Sequence, residues 1–441
     1  MGKYFGTDGM RGLVGKDLTC LDAYKIGRCL ALKSNGGKSL IGRDTRISSK
    51  MLEHALCAGI LEGGGDAYTL DVVPTACVSY LLNEEFDFGV MISASHNPFE
   101  DNGIKLFNNL GEKLDEDTTD EIEMYIDGIK ELPLPRCGAD IGTSIDYKDA
   151  QNKYKSHLIS CAPASLDGLR IGLDSANGSA YKIARECFLS LGATVFEIGN
   201  DPNGININEE CGATHPRALS NFVLKNGLDM GFSYDGDADR CIAIDQDGEI
   251  INGDKILYIL GRELKRGGEL NASTIVATVM SNAGLDVALK KEGISLVKTK
   301  VGDRFVYEEM KSNGYTLGGE QSGHIIVSKY ASTGDGILTS LLLSCISSRE
   351  QKSLGELSSG VEVFPQVSKN VRVKSKKDAL DSTALWDKVR LHEKSLDGGR
   401  ILIRASGTEP LIRILVEGKS LPLCEEIADS LAKIIEATSN A

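Results

Sequence analysis

At 441 residues the chain is too long for one ordinary hydrophobic core and predicts three or four domains of roughly 100–150 residues each. An apolar fraction of 41% and a charged fraction of 25% are those of a soluble globular protein. The net charge of −14, from 49 basic and 63 acidic residues, excludes a nucleic-acid backbone as the main partner, because neutralising phosphates needs a basic face. A small anionic ligand held by a local cluster of Arg and Lys stays open.

The eleven cysteines form no CxxC pair or repeating spacing, so free thiols in a reducing cytoplasm are expected. The six histidines are scattered and give no local support for zinc. The first residues lack the apolar core of a secretory signal. The longest apolar stretch, 337–346, contains Thr and Ser and is too short to span a bilayer. No membrane partner is expected.

In chain order, short Val/Ile/Leu-rich runs at 39–41, 88–92, 170–173, 194–198, 230–233, 274–279 and 315–317 read as strands. Each ends in a Gly/Ser/Asp loop and is followed by an amphipathic pattern, the signature of α/β layers with mixed sheets. A loose repeat runs through them. Strands lead into Gly42-Arg43-Asp44, into Asp174-Ser175-Ala176-Asn177-Gly178 and into Met280-Ser281-Asn282. Each is followed later by a second strand and loop: ISASHNP (92–98), YDGDADR (234–240) and GGEQSGH (318–324). Loops at the ends of such strands are where α/β folds bind ligands. Linkers are expected at 132–137 and at Gly253-Asp254, and the composition shifts again at Phe364-Pro365. The tail reads as strand 401–404, turn 406–410, strand 412–417 and helix 423–437. The predicted domains are therefore three α/β units, 1–150, 151–254 and 255–365, and a smaller α+β unit, 366–441. Gly36-Gly37-Lys38-Ser39 lacks the first Gly and the strand of a P-loop, and Gly63-Gly64-Gly65 reads as the end of a helix.

Four loops carry chemistry. In YDGDADR, Asp235, Asp237 and Asp239 alternate with small residues, and on an extended chain period two puts them on one side. Such hard oxygen ligands suit magnesium. A polar turn uses the same residues, but three acids this close repel without a cation. Arg240 and Gln246 exclude an EF-hand, which needs Gly and Glu there. In ISASHNP, Ser95 is a candidate nucleophile beside His96, although neighbours on an extended chain point apart and form no dyad. GGEQSGH offers Glu320, Ser322 and His324 to sugar hydroxyls. RASGTEP (404–410) can turn the N–H groups and hydroxyls of Ser406, Gly407 and Thr408 toward an anion, with Arg404 and Arg413 adding bidentate contacts.

These four loops in this order, with FGTDGMRG (5–12), GRDTR (42–46) and DNGIK (101–105), resemble the active-site loops of the α-D-phosphohexomutase family. The resemblance runs from residue 5 to about residue 420 and implies four domains around a central cleft. It implies a phosphorylated Ser95 and magnesium on Asp235, Asp237 and Asp239 together with that phosphate. Sugar hydroxyls would go to Glu320 and Ser322, with His324 beside them. The unreacting phosphate would go to Arg404, Ser406, Gly407, Thr408 and Arg413. Arg11, His96, Lys105 and Arg240 match active-site positions, and the general acid and base are expected among them, Lys105 or His96 serving as base if its pKa is lowered.

The start FGTDGMRG, the run KVGDR (300–304) and Gln321 look most like members acting on glucosamine phosphate, whose product feeds cell-wall precursor synthesis. Glucose and mannose phosphates are the alternative. The resemblance implies a hexose 1,6-bisphosphate as intermediate and activator, and leaves a homodimer open. Ala238 stands where many relatives have Gly, so this turn is expected to avoid positive φ. Two other classes remain: a haloacid-dehalogenase-type magnesium phosphatase, which wants Thr or Val where Asp239 sits, and a catalytically silent sugar-phosphate binder.

Overall fold

Runs of aliphatic residues that end in Gly, Ser or Asp form short, fully covered strands, as in Met230–Tyr234, Cys241–Asp245 and Thr274–Thr278. Covering both faces is what lets them read as continuous apolar runs. The computed structural model describes residues 2–82, 85–162, 164–406 and 410–440. It divides into two compact units, Met1–Met280 with Leu296–Ser358, and Ser281–Ser295 with Ser359–Ala441.

Three sheets repeat one topology. In the first, the strands Asp101–Asn108, Phe88–Ile92, Lys38–Arg43 and Asp66–Val72 lie side by side in that order. In the second the order is Cys241–Asp245, Met230–Tyr234, Arg170–Asp174 and Thr194–Ile198. In the third it is Ile325–Val327, Leu317–Gly319, Thr274–Thr278 and Ser295–Thr299. Each time, chain order runs third, fourth, second, first. The second strand pairs antiparallel with the first and parallel with the third. The three loops that sequence singles out are therefore one feature seen three times: the turn from the second strand into its antiparallel partner. The loose repeat in sequence is a strict repeat in topology.

The first sheet is extended by Phe5–Gly6 and Gly9–Leu13 at one edge and Ser144–Asp146 at the other. Against it lie the helices Cys20–Lys33 and Ile47–Glu62. They approach closely at Gly27 and Gly59, where a Cβ would come within 2.2 Å of Leu56 O and 2.1 Å of Tyr24 O. Thr19 and Asp22 cap the first of these helices reciprocally, a motif worth about 1 kcal/mol. The carboxylate of Glu123 accepts the N–H groups of Lys3, Tyr4 and Phe5 at 2.7, 2.7 and 2.8 Å and ties down the segment that leads into FGTDGMRG.

The second unit contains the three-stranded antiparallel sheet Gln366–Arg372, Leu411–Glu417, Arg400–Ala405, packed on the helix Leu421–Asn440. The strands and helix expected of the tail are present; of the turn expected at 406–410, residues 407–409 lie outside the described residues. The expected linker at Gly253-Asp254 is absent. Both residues are buried in the first turn of the helix Gly253–Arg266, and Gly253 N–H donates to Gln321 O at 3.0 Å. Asn252 caps that helix, so the polar dipeptide marks a helix start. The strand expected at 315–317 starts two residues later, as Leu317–Gly319.

Candidate active site

Ser95, at the end of Phe88–Ile92 and its loop, is wholly buried, and its Oγ donates to Asp235 Oδ2 at 2.6 Å. Its backbone is left-handed, with φ +54°, which costs a non-glycine residue roughly 1–2 kcal/mol. That turn overturns the expectation that Ser95 and His96 point apart. His96 Nδ1 lies 3.3 Å from Ser95 Oγ because the chain is not extended there. Ser93, not itself a candidate, holds the turn: its Oγ accepts the Ser95 N–H at 3.0 Å and donates to buried Asp44 at 2.7 Å.

Asp235, Asp237 and Asp239 bring carboxylate oxygens within 4.8 Å of one another, all buried. They converge through a turn, not through the period of an extended chain. Ala238 sits at φ +57°, against the expectation drawn from its Cβ. Two backbone bonds fix it there: its N–H donates to Asp235 O at 3.0 Å, and its carbonyl accepts Gly336 N–H at 2.9 Å. Burial and the neighbouring carboxylates raise the pKa of Asp235 to about 8 and raise that of Asp237. Burial disfavours the charge of Asp239 too, but Lys105 and His324 outweigh it and hold that carboxyl well below its usual range. The atoms Asp237 Oδ1 and Asp239 Oδ1 are buried without a hydrogen-bond donor among the described residues. Orphaned carboxylate oxygens of this kind are what a hard divalent cation would satisfy, so the donor set fits magnesium.

Lys105 is 1% exposed, and its Nζ lies 2.7, 2.9 and 3.0 Å from Asp237, Asp239 and Asp8. Burial works against its charge, yet the three carboxylates raise its pKa well above the ordinary value. The lowered pKa that would make Lys105 a base is thus contradicted. His96 goes the other way: burial, then the charges of Arg240 and Arg11, lower it to about 4. Arg11 pairs with Asp8, and Arg240 Nε lies 3.8 Å from Asp239. Both Arg Nε atoms are buried without a hydrogen-bond acceptor among the described residues.

His324 is buried between Asp239, 3.7 Å from Nδ1, and Asp303, 3.6 Å from Nε2. Burial lowers its pKa, but Asp239 and Asp303 prevail and raise it to about 9. Gly334 N–H also donates to Nε2 at 3.1 Å, which a second ring proton would oppose, so the geometry fits the neutral ring with its proton on Nδ1. Lys113 closes a circuit. It donates to Asp8 at 2.7 Å and pairs with Asp303, giving the closed chain of contacts Asp239, Lys105, Asp8, Lys113, Asp303, His324, in which the two lysines carry the positive charge.

Beside this ring opens a cleft of about 450 Å³, lined among others by Asp8, Arg11, Asp239, Arg240, Asp303, Glu320 and His324. Its size suits a small ligand. Glu320 Oε1 accepts Gly302 N–H at 3.1 Å, and Ser322 is exposed. Ser95, Asp235 and Asp237 do not line this cleft; of the acidic loop, Asp239 and Arg240 reach its wall.

In the second unit, Arg404 and Arg413 are direct partners across the strands Arg400–Ala405 and Leu411–Glu417, and both are exposed. Like charges directly opposite repel, and an anion between them offsets that repulsion. Ser406 is buried; its N–H donates to Leu411 O at 2.9 Å, and its carbonyl accepts Lys376 Nζ at 2.6 Å. Gly407 and Thr408 lie outside the described residues.

Sequence reasoning missed Arg46, Thr75, Lys113, Asn208, Asp303 and Lys376. Arg46 and Asp303 lie inside motifs it quoted, whereas Lys113 and Asn208 sit in loops whose composition is that of any turn.

Four family models match in turn: phosphoglucomutase/phosphomannomutase alpha/beta/alpha domain I at residues 2–133, domain II at 151–248, domain III at 252–364 and the C-terminal domain at 369–434. A protein of Lachnoclostridium phytofermentans named phosphoglucosamine mutase is 47% identical over 441 residues, covering 99% of this chain and 98% of its own. One of the same name from Carboxydothermus hydrogenoformans is 48% identical over 99% of this chain and 100% of its own. The crystal structure of a phosphoglucomutase/phosphomannomutase family protein from Burkholderia thailandensis superposes with a TM-score of 0.81 at 24% identity, covering 99% of this chain and 98% of that one.

Proposed function

As the chain belongs to the phosphoglucomutase/phosphomannomutase family, we propose that it interconverts glucosamine 6-phosphate and glucosamine 1-phosphate, with Ser95 carrying the phosphoryl group. The observation that carries the chemistry is the buried Ser95 Oγ 2.6 Å from Asp235, at the head of an acidic cluster with orphaned oxygens. The glucosamine substrate is supported by near-full-length identity of 47–48% to proteins named phosphoglucosamine mutase.

Phosphorylated Ser95 gives its phosphoryl group to the free hydroxyl of the bound sugar phosphate. The bond from phosphorus to Ser95 Oγ breaks and one to the sugar oxygen forms, giving a 1,6-bisphosphate. The hydroxyl proton passes to a base, and the freed Oγ is reprotonated. After the bisphosphate turns over, its other phosphate returns to Ser95 and leaves the isomer. Among Arg11, His96, Lys105 and Arg240, His96 alone has a pKa pushed down and is therefore neutral near pH 7, and its Nδ1 lies 3.3 Å from the reacting Oγ.

Asp235, Asp237 and Asp239 would hold magnesium together with the Ser95 phosphate, and the ion would supply charge neutralisation for the phosphoryl oxygens. Arg11 and Arg240 offer their unpaired Nε–H groups to oxygens of the ligand. Glu320, Ser322 and His324 would orient the sugar. Arg404, Ser406, Gly407, Thr408 and Arg413, joined by Lys376, would hold the distal phosphate, in either orientation of the sugar. All eleven cysteines are free, which supports a reducing cytoplasm, and no described helix is long and apolar enough to cross a membrane.

The test is isomerisation of glucosamine 6-phosphate, glucose 1-phosphate and mannose 1-phosphate side by side, with magnesium and a trace of hexose 1,6-bisphosphate. Faster turnover of the glucosamine compound supports the proposal. Faster turnover of a hexose keeps the mutase and replaces its substrate. Release of free phosphate without isomerisation sinks the mechanism.

A further inference from the structure

We infer that Asn208 is a positioning residue for phosphoryl transfer, reaching from the second α/β sheet to hold the turn that aims Ser95 Oγ at Asp235. The inference rests on Ser95 being the phosphoryl carrier.

Two carbonyls flank the strained residue and its turn, those of Ser95 and Asn97. Each accepts two donors. Asn208 Nδ2 lies 2.9 Å from Ser95 O and 3.0 Å from Asn97 O. Arg46 Nη2 lies 2.9 and 2.8 Å from the same two atoms. Arg46 stands at the N-cap of the helix Ile47–Glu62, in the same α/β layer as Ser95, and has no slack. Its remaining N–H groups go to Asp44 at 2.8 Å, to Asp101 O at 3.1 Å and to Pro98 O. Asn208 comes from the other side, out of the segment that follows the strand Thr194–Ile198, and its own N–H donates to Ala176 O at 2.9 Å.

The acidic loop rests on the same point. A Cβ on Gly236 would come 2.6 Å from Ser95 O and 3.1 Å from Asn208 Nδ2. Asn208 thus joins the turn of the phosphoryl carrier to the loop of the proposed metal ligands, and fixes the register between the two sheets at the reacting oxygen. The side chain is buried, yet Oδ1 has no donor among the described residues. What the molecule retains is the Nδ2 bridge.

The backbone makes the test clean. Asn208 has φ +60°, a conformation that Gly adopts freely, so Asn208→Gly deletes the bridge without adding strain. Asn208→Asp keeps the shape and sets a carboxylate against two carbonyls. Both variants, the parent and Ser95→Ala are assayed for kcat and KM with glucosamine 1-phosphate. Transfer of phosphate from glucose 1,6-bisphosphate to Ser95 is followed by intact mass, and folding by thermal melting. Asn208→Gly is expected to lower kcat and the loading rate together by roughly 10–100-fold, the cost of misplacing a reacting atom, with KM within about twofold. Asn208→Asp should be at least as slow. Parental kcat in folded Asn208→Gly, with Ser95→Ala inactive, overturns the inference and leaves the phosphoserine reading standing. Activity lost only in proportion to unfolded protein also overturns it. An active Ser95→Ala overturns the phosphoserine reading and the inference with it.

Discussion

The acidic loop of the first unit and the antiparallel strand pair 400–405 and 411–417 of the second both gather like charges, and they are built in opposite ways. Asp235, Asp237 and Asp239 are 0%, 0% and 3% exposed and are fixed by Ser95, Thr75, Lys105 and the backbone N–H of Arg240. Arg404 and Arg413 stand exposed on facing strands at the ends of long side chains. Atoms that exchange a phosphoryl group must hold their place, and burial among fixed side chains supplies that. A phosphate that arrives with the sugar in either of two orientations is better met by guanidinium groups with reach. Substitutions in the buried cluster should therefore act on kcat, and those in the strand pair on KM.

The largest effect is expected from Ser95→Ala, which removes the proposed phosphoryl carrier and should lower kcat by roughly a thousandfold or more. Steady-state assay with magnesium and hexose 1,6-bisphosphate measures it. Asp237→Asn keeps the shape but removes one charge of the cluster, and should cost about a hundredfold in kcat while raising the magnesium needed for half activity. Chelation should silence the parent enzyme, and added magnesium restore it. Arg413→Ala should raise KM by about tenfold, the loss of a charged hydrogen bond to phosphate, with kcat within about threefold. If kcat falls and KM holds, the division between the two regions is wrong. The smallest effect is expected from Ala238→Gly. Relief of the φ +57° backbone opposes the loss of a buried methyl, so melting should report a change under about 1 kcal/mol.

The four loops, their order and their strand-end positions were legible in the sequence, because each joins an apolar run to small polar residues. The topological repeat was faintly visible, since a one-strand-later antiparallel return leaves little periodic trace in strands such as Leu317–Gly319 and Ile325–Val327. Two local readings failed for the same reason. Local pattern implies an extended chain at Ser95-His96 and a negative φ at Ala238, whereas hydrogen bonds to the surrounding backbone and side chains hold Ser95 and Ala238 in the left-handed region. Lys105 could serve as a base only with a lowered pKa; three carboxylates from distant segments keep it charged. Neither Lys113 nor Asn208 announces itself, because each acts by reaching residues far along the chain, and no local pattern encodes a partner at that separation.

The most direct test of the central claim is mass spectrometry of the protein after incubation with glucosamine 1,6-bisphosphate and magnesium. The account predicts a single added phosphate on the peptide containing Ser95, discharged when glucosamine 6-phosphate is supplied and absent from Ser95→Ala. A phosphate on any other residue, or one that glucosamine 6-phosphate does not remove, would contradict it.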